Sequence, residues 1–252
     1  MPNHCSNTFT FKGTSDDIAK LKSLVIIRRS PSDEDYDGLE LAFDFNGVIP
    51  MPASLDINCG SISHFSTRLL QLPEDTYLAN CSEQLNAHQL KNLQGTLSHL
   101  YDWEKLTVRH AIRLLEAYPD LQSQCQLDLE LGRTCLQNIR LYGAANWYDW
   151  SMKNWGTKWN AYELVVHEDS ETVLSGYFKT IGSPPQPVFE TIAKQFPHID
   201  IEFHYIGESM GFAGSLISDS KGGVNYMECR PDQYAEFAFI HFGIETECPT
   251  DD

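Results

Sequence analysis

Two short stretches carry the polar side chains that could do chemistry. Asp44 and Asn46 lie in "FDFNGVIPMP", and Asn154, Lys158 and Asn160 lie in "NWYDWSMKNWGTKWNAYEL". An aspartate can act as a general base, and a lysine beside aromatic rings can bind an anion. These residues support one hypothesis for the chain: an enzyme acting on a nucleotide or nucleic acid, with its site near Lys158 and Asp44.

The tryptophans of the second stretch favour packing over catalysis. Four of the chain's five tryptophans lie between Trp147 and Trp159, and Gly156 interrupts any helix there. Tryptophan is a large packing group with one polar handle, asparagine suits turns, and a lysine can lie over an indole. We therefore expect this stretch to lock two parts of the fold together. The candidate functional surface comprises Asp44, Asn46, Asn154, Trp155, Lys158, Trp159 and Asn160.

The histidines offer one tempting metal pattern, because His88, His99 and His110 are evenly spaced. Eleven helical residues span about 16 Å, whereas metal ligands lie about 2 Å from a common centre, so one ion cannot join these three rings. The chain also lacks the spacings typical of phosphate loops, zinc proteases and dinucleotide-binding turns. The sequence therefore predicts no metal and no cofactor, and it identifies no catalytic residue.

Charge and composition exclude several classes of partner. The formal net charge is −17, and the segment 161–252 holds 16 acids and 4 bases, a net of −12. Such a chain repels nucleic-acid phosphates and anionic membranes, and no apolar run is long enough to span a bilayer. Its seven cysteines include no CxxC pair, which favours reduced thiols in the cytoplasm. We expect a partner protein with a basic surface, no direct binding of nucleic acid and no membrane association.

The periodicity of the chain predicts an α+β fold. "NTFTFKG" predicts a strand followed by a helix, and the chain after Ala161 predicts strand, strand, helix and strand. Without the helical middle, this order is a split β-α-β, ferredoxin-like sandwich, with an antiparallel sheet and helices on one face. The predicted parts are an N-terminal βα unit (1–54), a helical insertion (55–150), the second half of the ferredoxin-like domain (151–222) and a C-terminal extension (223–252).

Two patterns make predictions about burial. "HIDIEFHYIG" alternates, which places Phe203 on the core face and His204, with Asp200 and Glu202, on an exposed face. Three leucine-rich stripes in the helical middle predict a small bundle. The predicted core stripe of its last helix is Cys135, Leu136, Ile139 and Tyr142. We also expect a loop at 28–38 and a frayed tail at 245–252.

Five motifs occur in order within 1–54 and 146–218: "MPNHCSNTFTFKG", "FDFNGVIPMP", "NWGTKWNAY", "SPPQPVFETIAKQFP" and "MGFAGSL". Together they resemble the YubB-like family of plasmid- and phage-borne proteins. The resemblance implies a C-terminal ferredoxin-like domain and a mobile-element setting, and it implies no reaction. The chain departs from the family pattern at His4, Ser6 and Asn160, where an aromatic residue, an acid and an aspartate are expected. A catalytic role for that last position would be in doubt here.

Three functions remain open at this point. The first is a non-enzymatic, protein-binding accessory protein of a mobile element that acts on a host factor. The second is the enzyme near Lys158 and Asp44, and the third is an acidic DNA mimic whose carboxylates are spaced like phosphates. The sequence does not indicate an oligomeric state.

Overall fold

A computed structural model of the chain describes residues 3–32, 38–219 and 222–245. Residues 33–37 of the predicted loop and 246–252 of the predicted tail lie outside them. The strands are β1 (His4–Lys12), β2 (Ile26–Arg28), β3 (Leu41–Phe43), β4 (Tyr162–Asp169), β5 (Val173–Ile181), β6 (Asp200–Gly207), β7 (Ala213–Ser218) and β8 (Val224–Glu228). The helices are α1 (Ser15–Val25), α2 (Ser61–Gln71), α3 (Ala87–Leu97), α4 (Val108–Ala117), α5 (Asp120–Cys125), α6 (Leu129–Tyr142), α7 (Trp147–Asn154), α8 (Gln186–Gln195) and α9 (Tyr234–Phe242).

The main sheet is antiparallel, with the strand order β4-β5-β1-β6-β7-β8. Its first four strands arise from the chain order β1-α1-β4-β5-α8-β6, which is the split βαββαβ arrangement of a ferredoxin-like sandwich. The predicted fold class is therefore confirmed. β7 and β8 extend the sheet beyond β6, while β2 and β3 form a separate two-stranded sheet.

The core of the sheet is a cluster of phenylalanines. Alternation along β1 buries Phe9, which lies opposite Phe203 of β6. The Phe43 ring lies 5.2 Å from that of Phe9 and 5.0 Å from that of Phe178, and Phe189 of α8 stacks on Phe203 at 3.9 Å. These contacts fix α8 on the sheet face that carries Phe9.

Gly176 of β5 is required where two strands and a ring come close. A Cβ atom at this position would lie 2.5 Å from the carbonyl oxygen of Val165 and 3.0 Å from Cζ of Phe9. Any side chain here would push β4 away from β5, or Phe9 out of the core.

The chain contains two compact units, Met1–Met51 with Ser151–Asp252, and Pro52–Trp150. The second unit is helical, and its core includes Leu69 of α2, Leu93 and Leu97 of α3 and Leu115 of α4. Among the described residues, no helix has the length and apolar character needed to cross a bilayer.

The predicted core stripe of α6 is wrong at Ile139 and Tyr142, which are exposed. The face that α6 buries instead includes Gly132 and Asn138. A Cβ at Gly132 would lie 2.8 Å from Cβ of Ser66, so this glycine lets α6 approach α2 closely. Asn138 can be buried because it binds Ser54 through both its amide oxygen and its amide nitrogen. A prediction from large apolar residues alone does not find this buried face, because the face contains a glycine and an asparagine with hydrogen-bonded side-chain atoms.

The prediction that His204 is exposed is also wrong, because its side chain lies under α9. His204 is 8% exposed, and its ring stacks on His241 at 3.7 Å and lies 5.9 Å from Phe237. The apolar cluster beneath this helix joins Ala238 to Ile206 of β6. α9 therefore covers part of the sheet face opposite α8.

Candidate functional site

Asp44 and Asn160 form a hydrogen-bonded joint between two segments of the sheet unit. Asp44 caps a short 3₁₀ helix, where its Oδ1 accepts from the backbone N–H of Asn46 at 3.0 Å and from Nδ2 of Asn160 at 2.6 Å. Oδ1 of Asn160 accepts from the backbone N–H groups of Phe45, at 2.9 Å, and Ala161, at 3.0 Å. Three of these four bonds come from backbone N–H groups, and the fourth joins the two side chains, so both side chains have a structural task here.

Trp155 joins the same two segments through packing. Its ring is buried, lies edge-on to Phe45 at 5.8 Å, and donates from Nε1 to the carbonyl oxygen of Ile49 at 2.9 Å. Gly156 follows with φ of +81°, and a Cβ there would lie 2.8 Å from Cδ of Pro187. The segment after α7 therefore turns sharply and anchors the loop after β3.

The remaining predicted residues lie at the surface of this joint. Asn154 ends α7 and is half-buried, and Asn46 is exposed, with its Oδ1 accepting from the backbone N–H of Met51 at 3.1 Å. Lys158 Nζ lies 4.3 Å from the centroid of the Trp159 ring, a cation–π contact. In the predicted surface, Asp44, Trp155 and Asn160 therefore join two segments of the fold, while Trp159 is exposed to solvent.

A cavity of about 370 Å³ opens beside Trp159, and Trp159 and Asn160 are the members of the predicted surface that line it. The sequence carries no signal for the other lining residues. Ala161 and Tyr162 follow Asn160 directly, whereas His4, Arg29 and Ile181 come from distant parts of the chain. β1 and β5 bring two of these together, since His4 lies opposite Ile181. The complete lining is His4, Arg29, Trp159, Asn160, Ala161, Tyr162 and Ile181.

His4 and Tyr162 form a hydrogen-bonded pair on the wall of this cavity. The hydroxyl of Tyr162 contacts Nδ1 of His4. Burial, followed by the charge of Glu163, raises the pKa of Tyr162 above its ordinary value, so the phenol stays protonated at neutral pH. The neutral phenol can donate to Nδ1, in which case the ring N–H of His4 lies on Nε2.

The backbone next to Tyr162 is irregular. Glu163 has φ of +53°, a left-handed conformation rare for a residue with a side chain, and the register of β4 shifts between Tyr162 and Val165. Such bulges re-aim neighbouring side chains and are frequent beside functional sites. Here the bulge lies directly beside the His4–Tyr162 pair.

A second exposed feature lies on α9, which is apolar on almost every side. Ala238 and Phe237 pack towards the sheet, while Phe239 and Ile240 are 60% and 62% exposed. Met227 of β8 is also exposed; it lies opposite Ser215, which in turn lies opposite His204, so it shares the sheet face on which α9 packs. We call Met227, Phe239, Ile240 and Ile244 the α9 surface.

The segment after α7 contains β4, β5, α8 and β6, three strands and one helix of the ferredoxin-like sandwich. Residues 154–236 match the family model for the ferredoxin-like domain in Api92-like protein. This match agrees with the fold that the strand order shows. It includes Trp159, Asn160 and Tyr162 of the cavity, and it ends inside α9.

Comparison with solved structures gives a more distant likeness. A crystal structure of the protein api92 from Yersinia pseudotuberculosis has a TM-score of 0.42 and 12% sequence identity, and the match covers 91% of this chain and 99% of that chain. No curated protein sequence matches the chain. The YubB-like resemblance and the mobile-element setting that it implies stay predictions from the sequence.

Beneath α9, His204 lies in a line of polar groups. Its Nδ1 is 2.6 Å from Oγ of Ser215, its Nε2 is 3.0 Å from Oε1 of Glu202, and His241 stacks on its ring. Ser215, His204 and Glu202 have the residue types of a serine hydrolase triad. Ser215 is buried, however, and within the described part of the chain it lines neither the cavity beside Trp159 nor any of four others of about 400–500 Å³. We therefore assign this line a structural role beneath α9.

The two stacked histidines predict loss of stability in mild acid. Burial lowers the pKa of His204 and of His241 below 6.5, and for His241 the neighbouring His204 lowers it further. The unfolded chain therefore binds protons that the folded chain does not. Above about pH 6.5 the two histidines should not change the free energy of unfolding. Below that pH the free energy of unfolding should fall, by at most about 1.4 kcal/mol per pH unit for each ring. Urea unfolding between about pH 7.5 and pH 5 measures this slope.

The control for this prediction is His241→Gln, which leaves one of the two rings. The slope should become smaller in this variant, while His167→Gln, an exposed histidine of β4, should leave it unchanged. An equal slope in the wild type and in His241→Gln would contradict the assignment.

Proposed function

We propose that the chain is a protein-binding module whose partner docks on the α9 surface. The observation that carries this proposal is the exposure of Phe239 and Ile240 on a helix that is apolar on almost every side. Helices of this kind are normally buried. Covering one such side chain is worth about 1.5–3 kcal/mol, so the two together can supply the centre of an interface.

The charges around the α9 surface indicate the chemistry of the partner. Three acids on α9 or next to it, Asp232, Glu236 and Glu245, are exposed, and Arg230 is the base of this segment. Glu228 does not belong to this group, because it follows Met227 on β8 and points to the opposite face of the sheet. Arg230 forms an ion pair with Asp232 at 3.4 Å. The α9 surface therefore has an apolar centre and an acidic rim, which suits a protein with apolar anchors surrounded by Lys and Arg.

The setting of this interaction follows from the sequence. The five motifs support a mobile-element accessory protein, in which case the partner is a host protein. The described cysteines, from Cys5 to Cys229, are free thiols, which supports a reducing compartment such as the cytoplasm. The enzyme and DNA-mimic hypotheses stay predictions, and no contact among the described residues favours either over the α9 surface.

A pair of designed peptides tests the proposal. One is an amphipathic helix of Leu and Lys, and the other has the same pattern with Glu in place of Lys. We expect the basic peptide to bind, with affinity falling as salt rises, and the acidic peptide to bind at least tenfold more weakly. The double variant Phe239→Ala/Ile240→Ala should weaken binding of the basic peptide by about 10- to 100-fold, measured by fluorescence anisotropy.

The matched control is Leu141→Ala on α6, which removes an equally exposed apolar side chain from the other unit. This variant should bind like the wild type. Equal binding of the two peptides, or unchanged binding by the double variant, would exclude the α9 surface as the docking site.

A further inference from the structure

The cavity beside Trp159 combines aromatic and apolar walls with a buried cation. Trp159 is 47% exposed and Arg29 is 8% exposed, and both line the cavity. We propose that this cavity binds a small planar aromatic anion, with the ring against Trp159 and a carboxylate or phosphate at Arg29. This site is separate from the α9 surface, with which it shares no residue.

The size of the cavity limits the ligand. About 370 Å³ lies at the lower end of the range of roughly 300–1,000 Å³ for small-molecule sites. Ala161 and Ile181 give it further apolar wall, which suits a flat ring rather than a sugar. A single ring system with one anionic group is therefore the expected size, and a dinucleotide is too large.

The indole of Trp159 is half exposed and can stack on the ring of a ligand. The Lys158 ammonium lies 4.3 Å from the Trp159 centroid, yet Lys158 does not line the cavity. The cation–π contact restrains the ring without closing the space beside it. Stacking of a ligand ring on an aromatic side chain contributes about 1–3 kcal/mol.

Arg29 supplies the selectivity for an anion. Its guanidinium has five N–H donors in a planar fork that matches carboxylate and phosphate, so it can keep its other interaction and still bind a ligand. Among the described residues next to His4 and Tyr162, Glu163 forms an ion pair with Lys179 at 2.6 Å, and Glu208 accepts from the backbone N–H of His4 at 3.1 Å.

His4 adds a directional donor to the same wall. Its Nδ1 is occupied by the Tyr162 hydroxyl, and within the described part of the chain its Nε2 has no hydrogen-bond partner. With the proton on Nε2, this atom can donate to an oxygen of the bound anion. The bulge at Glu163 lies next to Tyr162, whose hydroxyl fixes the orientation of the His4 ring.

Isothermal titration with four compounds tests the proposal. The anions are phenylacetate and phenyl phosphate, which share one ring, and their neutral counterparts are phenylacetamide and phenol. At least one anion should bind with a Kd below about 1 mM, and its neutral counterpart at least tenfold more weakly. The stronger of the two anions distinguishes a carboxylate ligand from a phosphate ligand.

Variants then place the ligand in the cavity. Trp159→Leu should weaken binding of the stronger anion at least tenfold, and Arg29→Lys should weaken it because an ammonium cannot form the planar fork. Tyr77→Leu, which changes an equally exposed ring of the helical unit, should have no effect. Phe239→Ala/Ile240→Ala should also bind the anion normally, so that this site and the α9 surface are tested separately.

Three results would overturn the inference: no binding of either anion at about 10 mM, equal binding of an anion and its neutral counterpart, or unchanged binding by Trp159→Leu. Trp159 is half exposed, so its replacement leaves the core intact. If Arg29→Lys fails to fold, the comparison of anionic with neutral compounds still decides whether charge is recognised.

Discussion

Phe178→Ala is expected to destabilise the sheet unit by about 3–5 kcal/mol. Phe178 is completely buried, and its ring lies 5.0 Å from Phe43, 5.9 Å from Phe9, 6.0 Å from Phe45 and 6.4 Å from Phe189. Four rings anchored on different elements cannot all move inwards, so the variant keeps most of the cavity. Urea unfolding followed by circular dichroism measures the loss.

The matched control makes the same change on the surface of the same unit. Phe239→Ala removes a side chain that is 60% exposed and should alter stability by less than about 0.5 kcal/mol. A loss below about 1 kcal/mol for Phe178→Ala would show that the aromatic cluster is not the core of the sheet.

Asn160→Asp is expected to destabilise the same unit by about 1–3 kcal/mol at neutral pH. The wild-type amide donates to Oδ1 of Asp44 at 2.6 Å, whereas an ionised aspartate has no donor and would face Asp44 with a like charge. The close pair raises the pKa of one carboxyl in the folded state, so the folded variant binds a proton that the unfolded chain releases. Stability of the variant should therefore be best in acid and should fall as pH rises through that raised pKa.

Urea unfolding of Asn160→Asp and wild type between about pH 4 and pH 7.5 measures this difference. Asn225→Asp on β8 is the control, because Asn225 is exposed and the change adds the same charge without a facing carboxylate. The gap between Asn160→Asp and wild type should widen with pH, while the gap for Asn225→Asp should stay nearly constant. A pH-independent gap for Asn160→Asp would exclude direct contact between the two carboxyl groups.

The fold could be predicted because its elements carry their own periodicity. β1 alternates around Phe9, β6 alternates around Phe203, and α8 presents an apolar stripe that includes Phe189. Once the helical middle was set aside, the order of these elements left a ferredoxin-like sandwich. The prediction of which side chains are buried failed where the local pattern of apolar residues does not decide it. α9 is apolar on almost every side and so indicates no preferred face, which left the cover over His204 unforeseen.

The candidate site was only partly predictable. Asparagine and aspartate side chains can do chemistry, and Asp44 and Asn160 also tie the segments after β3 and α7 to each other. Trp159 and Asn160 of the predicted surface line the cavity, whereas the sequence carries no signal for Arg29 and Tyr162. The meeting of His4, Tyr162 and Ile181 depends on the pairing of β1 and β4 with β5, which a spacing along the chain does not reveal.

The central place of β1 has a consequence for how the chain folds during synthesis. β1 pairs on one side with β5 and on the other with β6, so that His4 faces Ile181 and Cys5 faces Gly207. β1 therefore has no strand to pair with until β5 (Val173–Ile181) has been synthesised, by which time all the helices within Pro52–Trp150 have already emerged. Closing so long a loop is slow, which leaves Phe9 exposed in the nascent chain and makes the interval before β6 arrives the stage most open to aggregation.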